Sequence, residues 1–243
     1  MCDRCSLKGL GHELSLSRRH LLRGSAALAT ATLAPLRSAS AQNAAPQNTI
    51  SPDEALKRIM DGNARYTANT SANQDYSVGR AARATAQHPI AAILSCADSR
   101  VAPELAFDQA PGDLFVVRLA GNFVNDDGLA SLEYAVKILN TPLIMVLGHS
   151  NCGAVDAAIK VLNDGATLPG HLQQLVRDIK PAVAAAQKEK PANLLAASIT
   201  QNIRNGVRRL ETAKPILADL VQAKKIKVVG AQYDLATGKI ALV

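Results

Sequence analysis

Two short segments of the chain carry side chains suited to holding a cation. Cys96-Ala97-Asp98-Ser99-Arg100 follows one apolar run, and His149-Ser150-Asn151-Cys152-Gly153 follows another. Two thiolates and one imidazole can supply three ligands of a tetrahedral zinc and leave its fourth position open, as catalytic rather than structural sites do. Each residue also has a plainer reading. A Cys after an apolar strand is usually a small buried hydrophobe, and a His at a strand end a hydrogen-bonded core residue. Two cysteines in an oxidising compartment can also pair as a disulfide. Asp98 and Arg100, two residues apart, can pair so that one carboxylate oxygen faces the open position and accepts a proton from a zinc-bound water. The alternative for them is a surface salt bridge of little energetic consequence.

These side chains meet only if the segments that carry them end at the same edge of a sheet. Ile90–Ser95, Leu114–Arg118, Leu143–Leu147 and Ile226–Val229 are short, continuously apolar runs that read as buried strands, with Ile240–Val243 as an edge strand. Helical stretches separate them: Leu129–Leu139, Val155–Leu162 and most of Leu172–Gln222. Ser51-Pro52-Asp53-Glu54 has the marks of a helix start, with Ser as N-cap, Pro at the first position and Glu three residues on, ahead of an apolar face of Ala55, Leu56, Ile59 and Met60. Alternating strands and helices predict an α/β fold, a mostly parallel central sheet flanked by helices. In such sheets sites form beyond the C-terminal ends of strands, where both motifs fall.

The 243 residues are 48% apolar, which excludes a disordered chain, and four Cys are too few for a disulfide scaffold. The formal charge of +7 is concentrated at the start, where residues 1–41 hold six basic and two acidic side chains. With no basic patch interleaved with aromatics, nucleic-acid binding is not indicated. Ser17-Arg18-Arg19-His20-Leu21-Leu22-Arg23, the small-residue apolar run 24–34, and Ala39-Ser40-Ala41 together describe a secretory signal peptide. The paired arginines resemble the twin-arginine export signal. The apolar run is too short to span a bilayer, which takes about 20 residues, so no stable membrane anchor is expected. The expected organisation is a cleaved leader over 1–41, a linker over 42–50 and one domain over 51–243, exported to the periplasm or beyond. Cys2 and Cys5 would leave with the leader.

Taken together, Cys96-Ala-Asp98-Ser-Arg100-Val101 and His149-Ser-Asn-Cys152-Gly153 resemble the β-class carbonic anhydrases. The likeness extends in family order through Gln87-His-Pro89, Pro111-Gly-Asp-Leu-Phe115-Val-Val-Arg118, Ala120-Gly-Asn122, Glu133-Tyr134-Ala-Val136 and Val229-Gly-Ala-Gln-Tyr233-Asp234. It implies one zinc per chain on Cys96, His149 and Cys152, with Asp98 and Arg100 as the dyad beside the bound water. It also implies reversible hydration of carbon dioxide to bicarbonate by zinc-bound hydroxide. Gln87, Phe115, Tyr134 and Gly153 are implied as substrate-pocket residues, with Phe115 and Tyr134 reaching across the interface of a homodimer or larger homo-oligomer. Leu119 stands where many members have Asn, and Ala97 where they have Ser. Ile93 stands where one subgroup carries the Trp of a bicarbonate-closed form, so the open form is expected. His88 and His171 are the candidates for a proton shuttle.

Two rival readings keep part of this site. Relatives that hydrolyse carbon disulfide or carbonyl sulfide use the same ligands, and a non-catalytic module would carry a structural zinc or a Cys96–Cys152 disulfide. A cysteine phosphatase or sulfurtransferase is disfavoured, because neither Cys heads a five-residue anion loop closed by Arg. Cobalt or iron would also suit two thiolates and an imidazole.

Overall fold

The computed structural model describes residues 49–72 and 75–243. The leader, its Cys2 and Cys5, and linker residues 42–48 lie outside the described residues. Chain order is α1 (Pro52–Thr67), α2 (Arg80–Arg83), β1 (Ala91–Ser95), α3 (Pro103–Ala106), β2 (Leu114–Arg118), α4 (Asp126–Lys137), β3 (Leu143–His149), α5 (Gly153–Asp164), α6 (Leu172–Lys188), α7 (Leu194–Glu211), α8 (Leu217–Gln222), β4 (Lys227–Tyr233) and β5 (Ile240–Leu242). The expected helix start is present: Ser51 Oγ accepts from the Glu54 amide at 3.1 Å, and Pro52 occupies the first turn. A cap that the composition did not flag, Asn125, accepts from the Gly128 amide and starts α4 three residues before the apolar run.

The five strands run in the order β2-β1-β3-β4-β5. The first four are parallel and β5 is antiparallel to β4. β1 and β3 are buried along their whole length, which is why they read as unbroken apolar runs. Period-2 alternation divides their side chains between two cores. Ala92, Leu94, Ile144 and Val146 face a core shared with α4, α5, α6 and α7. Ala91, Ile93, Met145 and Leu147 face a second core, closed by Ala55 and Ile59 of α1 and by Phe107. Cys96 and Cys152 belong to the first core, on the helix-rich side of the sheet, while His149 ends β3 on the face of Met145 and Leu147.

The stretch 172–222 resolves into three helices, with Pro191 between α6 and α7 and Pro215 between α7 and α8. β4 runs four residues past Val229, through Gly230 and Gln232 to Tyr233, pairing Tyr233 with His149. Close approach explains those polar and small residues: a Cβ on Gly230 would fall 2.7 Å from Ile203 Cγ2, and one on Gly148 would fall 2.6 Å from Ile203 Cδ1. α7 is thereby seated directly on β3 and β4. Among the described residues no helix is long and apolar enough to cross a membrane.

Candidate metal centre

Cys96 lies one residue beyond β1, His149 is the last residue of β3, and Cys152 is the N-cap of α5. Adjacent parallel strands therefore deliver the first two, and the tight turn after β3, with Asn151 in the left-handed region at φ 54°, delivers the third. Their ligand atoms all lie within 4.8 Å of one another, and all three residues are buried. His149 Nδ1 lies 2.9 Å from the Ser150 carbonyl, an acceptor only, so Nδ1 carries the proton. Nε2 is then left with a lone pair, buried and without a hydrogen-bond partner. A buried acceptor without a partner beside two thiols is what a thiophilic cation would complete, and the donor set fits zinc. Cys96 and Cys152 are free thiols, not a disulfide.

The two thiols are biased in opposite directions. Hydrogen bonding with the Cys152 thiol drives the Cys96 pKa down against the opposing effect of burial, and the Gly121 amide, 3.2 Å from Cys96 Sγ, helps. The same contact, together with burial, pushes Cys152 up. Two adjacent buried thiols thus share one proton, and a cation would release it. Cys152 also sits at the N-terminus of a three-turn helix, whose dipole favours thiolate.

Asp98 stands at the mouth of the trio. Its Oδ1 accepts from the Arg100 amide at 3.0 Å and from Arg100 Nε at 2.9 Å, and its Oδ2 accepts from Arg100 Nη2 at 2.7 Å. Oδ2 is also 3.8 Å from His149 Nε2. The hydrogen bonds from Arg100 hold the Asp98 carboxyl far below the ordinary carboxylate range, so it is an acceptor at any working pH. Gly153 opens α5 directly after Cys152, and a Cβ there would meet nothing within 4 Å. Arg118, at the end of β2, clamps the loop that carries Cys96 and Asp98. Its Nε donates to the Cys96 carbonyl at 3.1 Å, and its Nη2 donates to the carbonyls of Asp98 and Val101 at 2.7 Å each. The sequence motif contains Arg118, but nothing in the spacing reveals that it holds the ligand loop.

Known proteins can now be set beside this geometry. A family model described as carbonic anhydrase matches residues 91–240. The chain belongs to the carbonic anhydrase family. Carbonic anhydrase 2 of Mycobacterium tuberculosis is 37% identical over 192 residues, covering 79% of this chain and 92% of that protein. The carbonic anhydrase of Mycolicibacterium smegmatis is 37% identical over 192 residues, with 79% and 93% covered. Among solved structures, a Coccomyxa β-carbonic anhydrase in complex with acetazolamide superposes with a TM-score of 0.62 at 28% identity, covering 77% of this chain and 86% of that one. The β class is therefore the one to which this carbonic anhydrase fold corresponds, and the expected mostly parallel sheet is the observed one.

The other expected site residues do not join the trio within one chain. Gln87 precedes β1 and, with Tyr134, Pro111, Gly112 and Ile138, lines a groove of 780 Å³. Phe115 packs against Tyr134, ring centroids 6.2 Å apart and planes tilted by 35°. This groove opens at the N-terminal edge of the sheet, whereas Cys96 and His149 stand at the C-terminal edge. A five-residue strand at about 3.3 Å per residue puts those edges roughly 16 Å apart. Tyr134 is 46% exposed although it is aromatic. His88 lines the same groove, and His171 is exposed just ahead of α6.

Replacing Arg118 by Met removes three donors from the carbonyls of Cys96, Asp98 and Val101. The expected loss is about 2 kcal/mol, given the worth of charge-assisted hydrogen bonds at a partly exposed site. Urea denaturation checks it, and an unchanged midpoint would mean that water replaces the clamp.

Proposed function

We propose that the chain catalyses reversible hydration of carbon dioxide to bicarbonate and a proton, with one zinc held by Cys96, His149 and Cys152. The observation that carries this reading is the buried trio with the unpartnered His149 Nε2, flanked by an Asp98 carboxylate already locked onto Arg100. Bound zinc would supply the Lewis acidity that makes water a nucleophile near neutral pH. The chain's own groups then orient the attack. The attacking water donates a hydrogen bond to Asp98 Oδ2, which turns an oxygen lone pair toward the carbon of carbon dioxide. Arg100 keeps that carboxylate ionised and fixes its plane, so the acceptor never becomes a competing donor. The space beside Gly153 admits the substrate, and the released proton passes to solvent. With its carboxylate held by Arg100, Asp98 would not compete for the metal, as the expected open form requires.

The pocket is completed by a second copy of the chain, in this reading. Gln87, Phe115 and Tyr134 lie too far from their own trio to touch its substrate, the exposed Tyr134 lines the groove beside Gln87, and β2 is an edge strand. A homodimer would present the groove of one protomer to the metal centre of its partner. Residues 1–41 act as a cleaved twin-arginine leader that sends the folded domain to the periplasm, a reading that rests on Arg18-Arg19, the short apolar run and Ala39-Ser40-Ala41.

Stopped-flow hydration assays on residues 42–243, with metal content determined on the same sample, should show rapid turnover and one zinc per chain. Asp98→Asn should keep its zinc and lose about 100-fold or more in kcat, the scale of a positioned proton acceptor. The depressed Asp98 pKa means the wild-type dyad stays ionised down to strongly acidic pH, so no loss of rate between pH 5 and 9 should trace to Asp98. Full activity in Asp98→Asn would remove the catalytic assignment, and zinc without hydration would point to another substrate or a structural metal.

Co-expression tests the shared pocket. In a mixed dimer of Gln87→Leu and Asp98→Asn chains, one site should be intact, giving about half the wild-type rate per dimer. If each pocket is built within one chain, the mixture should be no better than the mean of the two variants. For the leader, intact mass of the exported protein should correspond to a chain beginning at Gln42; an uncleaved product retained in the cytoplasm would contradict it.

A further inference from the structure

Asn202 is a polar residue in the middle of α7, 4% exposed and turned toward the sheet. Its Nδ2 donates to the Gly121 carbonyl at 2.7 Å, a contact across 81 residues of chain. Gly121 in turn donates its own N–H to Cys96 Sγ at 3.2 Å. The loop that carries Gly121 is tied to β1 on one side, where the Leu119 amide donates to Ser95 and the Ala97 amide donates to Leu119. It is closed by the Asn122 amide on the Leu119 carbonyl at 2.8 Å. Gly121 has φ +88°, and an added Cβ would fall 2.6 Å from Ile179 Cδ1, so the position accepts glycine alone. Its lack of a side chain leaves the backbone to be held by others. Asn202 does this from a helix that cannot rise off the sheet, because the next residue, Ile203, fills the space that Gly148 and Gly230 leave open.

We propose that Asn202 is a positioning residue for the metal centre. By holding the Gly121 carbonyl it aims the Gly121 N–H at the Cys96 sulfur, and that hydrogen bond draws charge from the thiolate and sets how strongly it donates to a bound metal. Outer-shell partners of metal ligands act in this way on affinity and reactivity. The inference rests on the metal-binding reading of Cys96, His149 and Cys152.

The test uses residues 42–243 loaded with zinc, cobalt(II) or cadmium-113. In the wild-type cadmium form, the Gly121 amide proton should show scalar coupling to the metal through Cys96 Sγ. Asn202→Leu, nearly isosteric and without a donor, should weaken zinc binding about 10–100-fold in chelator competition. It should also reduce the Gly121 coupling and shift the thiolate-to-cobalt charge-transfer band. Asn63→Leu is the control. Asn63 is another buried amide, bonded to the Ala106 and Gly238 carbonyls and the Ile240 amide in the opposite core, and its loss should lower stability without moving the metal readouts. Wild-type affinity, band and coupling in Asn202→Leu would overturn the proposal, as would equal weakening of metal binding in the two variants. If Asn202→Leu does not fold, Asn202→Ala is read in its place; failure of both to fold in saturating zinc would make Asn202 a fold determinant and overturn the positioning role. A wild-type chain that binds no metal through Cys96 would instead bring down the metal reading itself.

Discussion

Packing two thiols and an imidazole lone pair together inside a hydrophobic core is unfavourable unless a cation joins them. An unpartnered buried acceptor costs about 1–3 kcal/mol, and ionising both neighbouring sulfurs would set two like charges against each other. The protein nevertheless holds His149 Nε2 bare and Cys96 beside Cys152. Much of the surrounding architecture follows from keeping these three groups converged. The Ser150 carbonyl fixes the imidazole tautomer, the Gly121 amide faces one sulfur, and α5 begins at the other. Arg100 and Arg118 add positive charge around a loop that carries a permanent carboxylate.

The position of the trio follows from the strand order. From β1 the chain moves outward to β2 and then returns to the other side of β1 as β3, so the connections leave β1 and β3 in opposite directions. A crevice opens where adjacent parallel strands diverge in this way. Cys96 and His149 are the residues that β1 and β3 place there, and the connection from β2 brings Arg118 and Gly121 alongside. A single topological feature thus assembles ligands from β1 and β3 with support from the end of β2.

What could be read from the chain alone was whatever is local. Cys96, Asp98, Arg100, His149 and Cys152 sit in two five-residue segments, β1 and most of β3 are unbroken apolar runs, and Ser51 with Glu54 announces a helix start, so these were legible. The two short helices α2 and α3 were not, since four residues carry too little periodicity to register. Gln87, Phe115 and Tyr134 were expected as pocket residues only by likeness to a family; their own chain holds them at the far edge of the sheet. Asn202 could not be found at all from local pattern. Its partner lies 81 residues away and is a backbone carbonyl, which leaves no trace in side-chain type. Arg118 falls between these cases, visible as part of a motif but without its role, because the carbonyls it holds become neighbours only when β1 pairs with β2.

The hydrogen-bond register between β1 and β3 has a further consequence. Ser95 lies opposite Leu147, so Cys96 and His149 leave the sheet at nearly the same height. A slip of one residue would turn Cys96 to the other face of the sheet, away from Cys152, while leaving most of both strands apolar and able to pair. The hydrophobic pattern therefore tolerates an error that the ligand set does not. A metal held by this trio would report on strand alignment: a chain misthreaded by a single residue could bury its core and still fail to hold the ion.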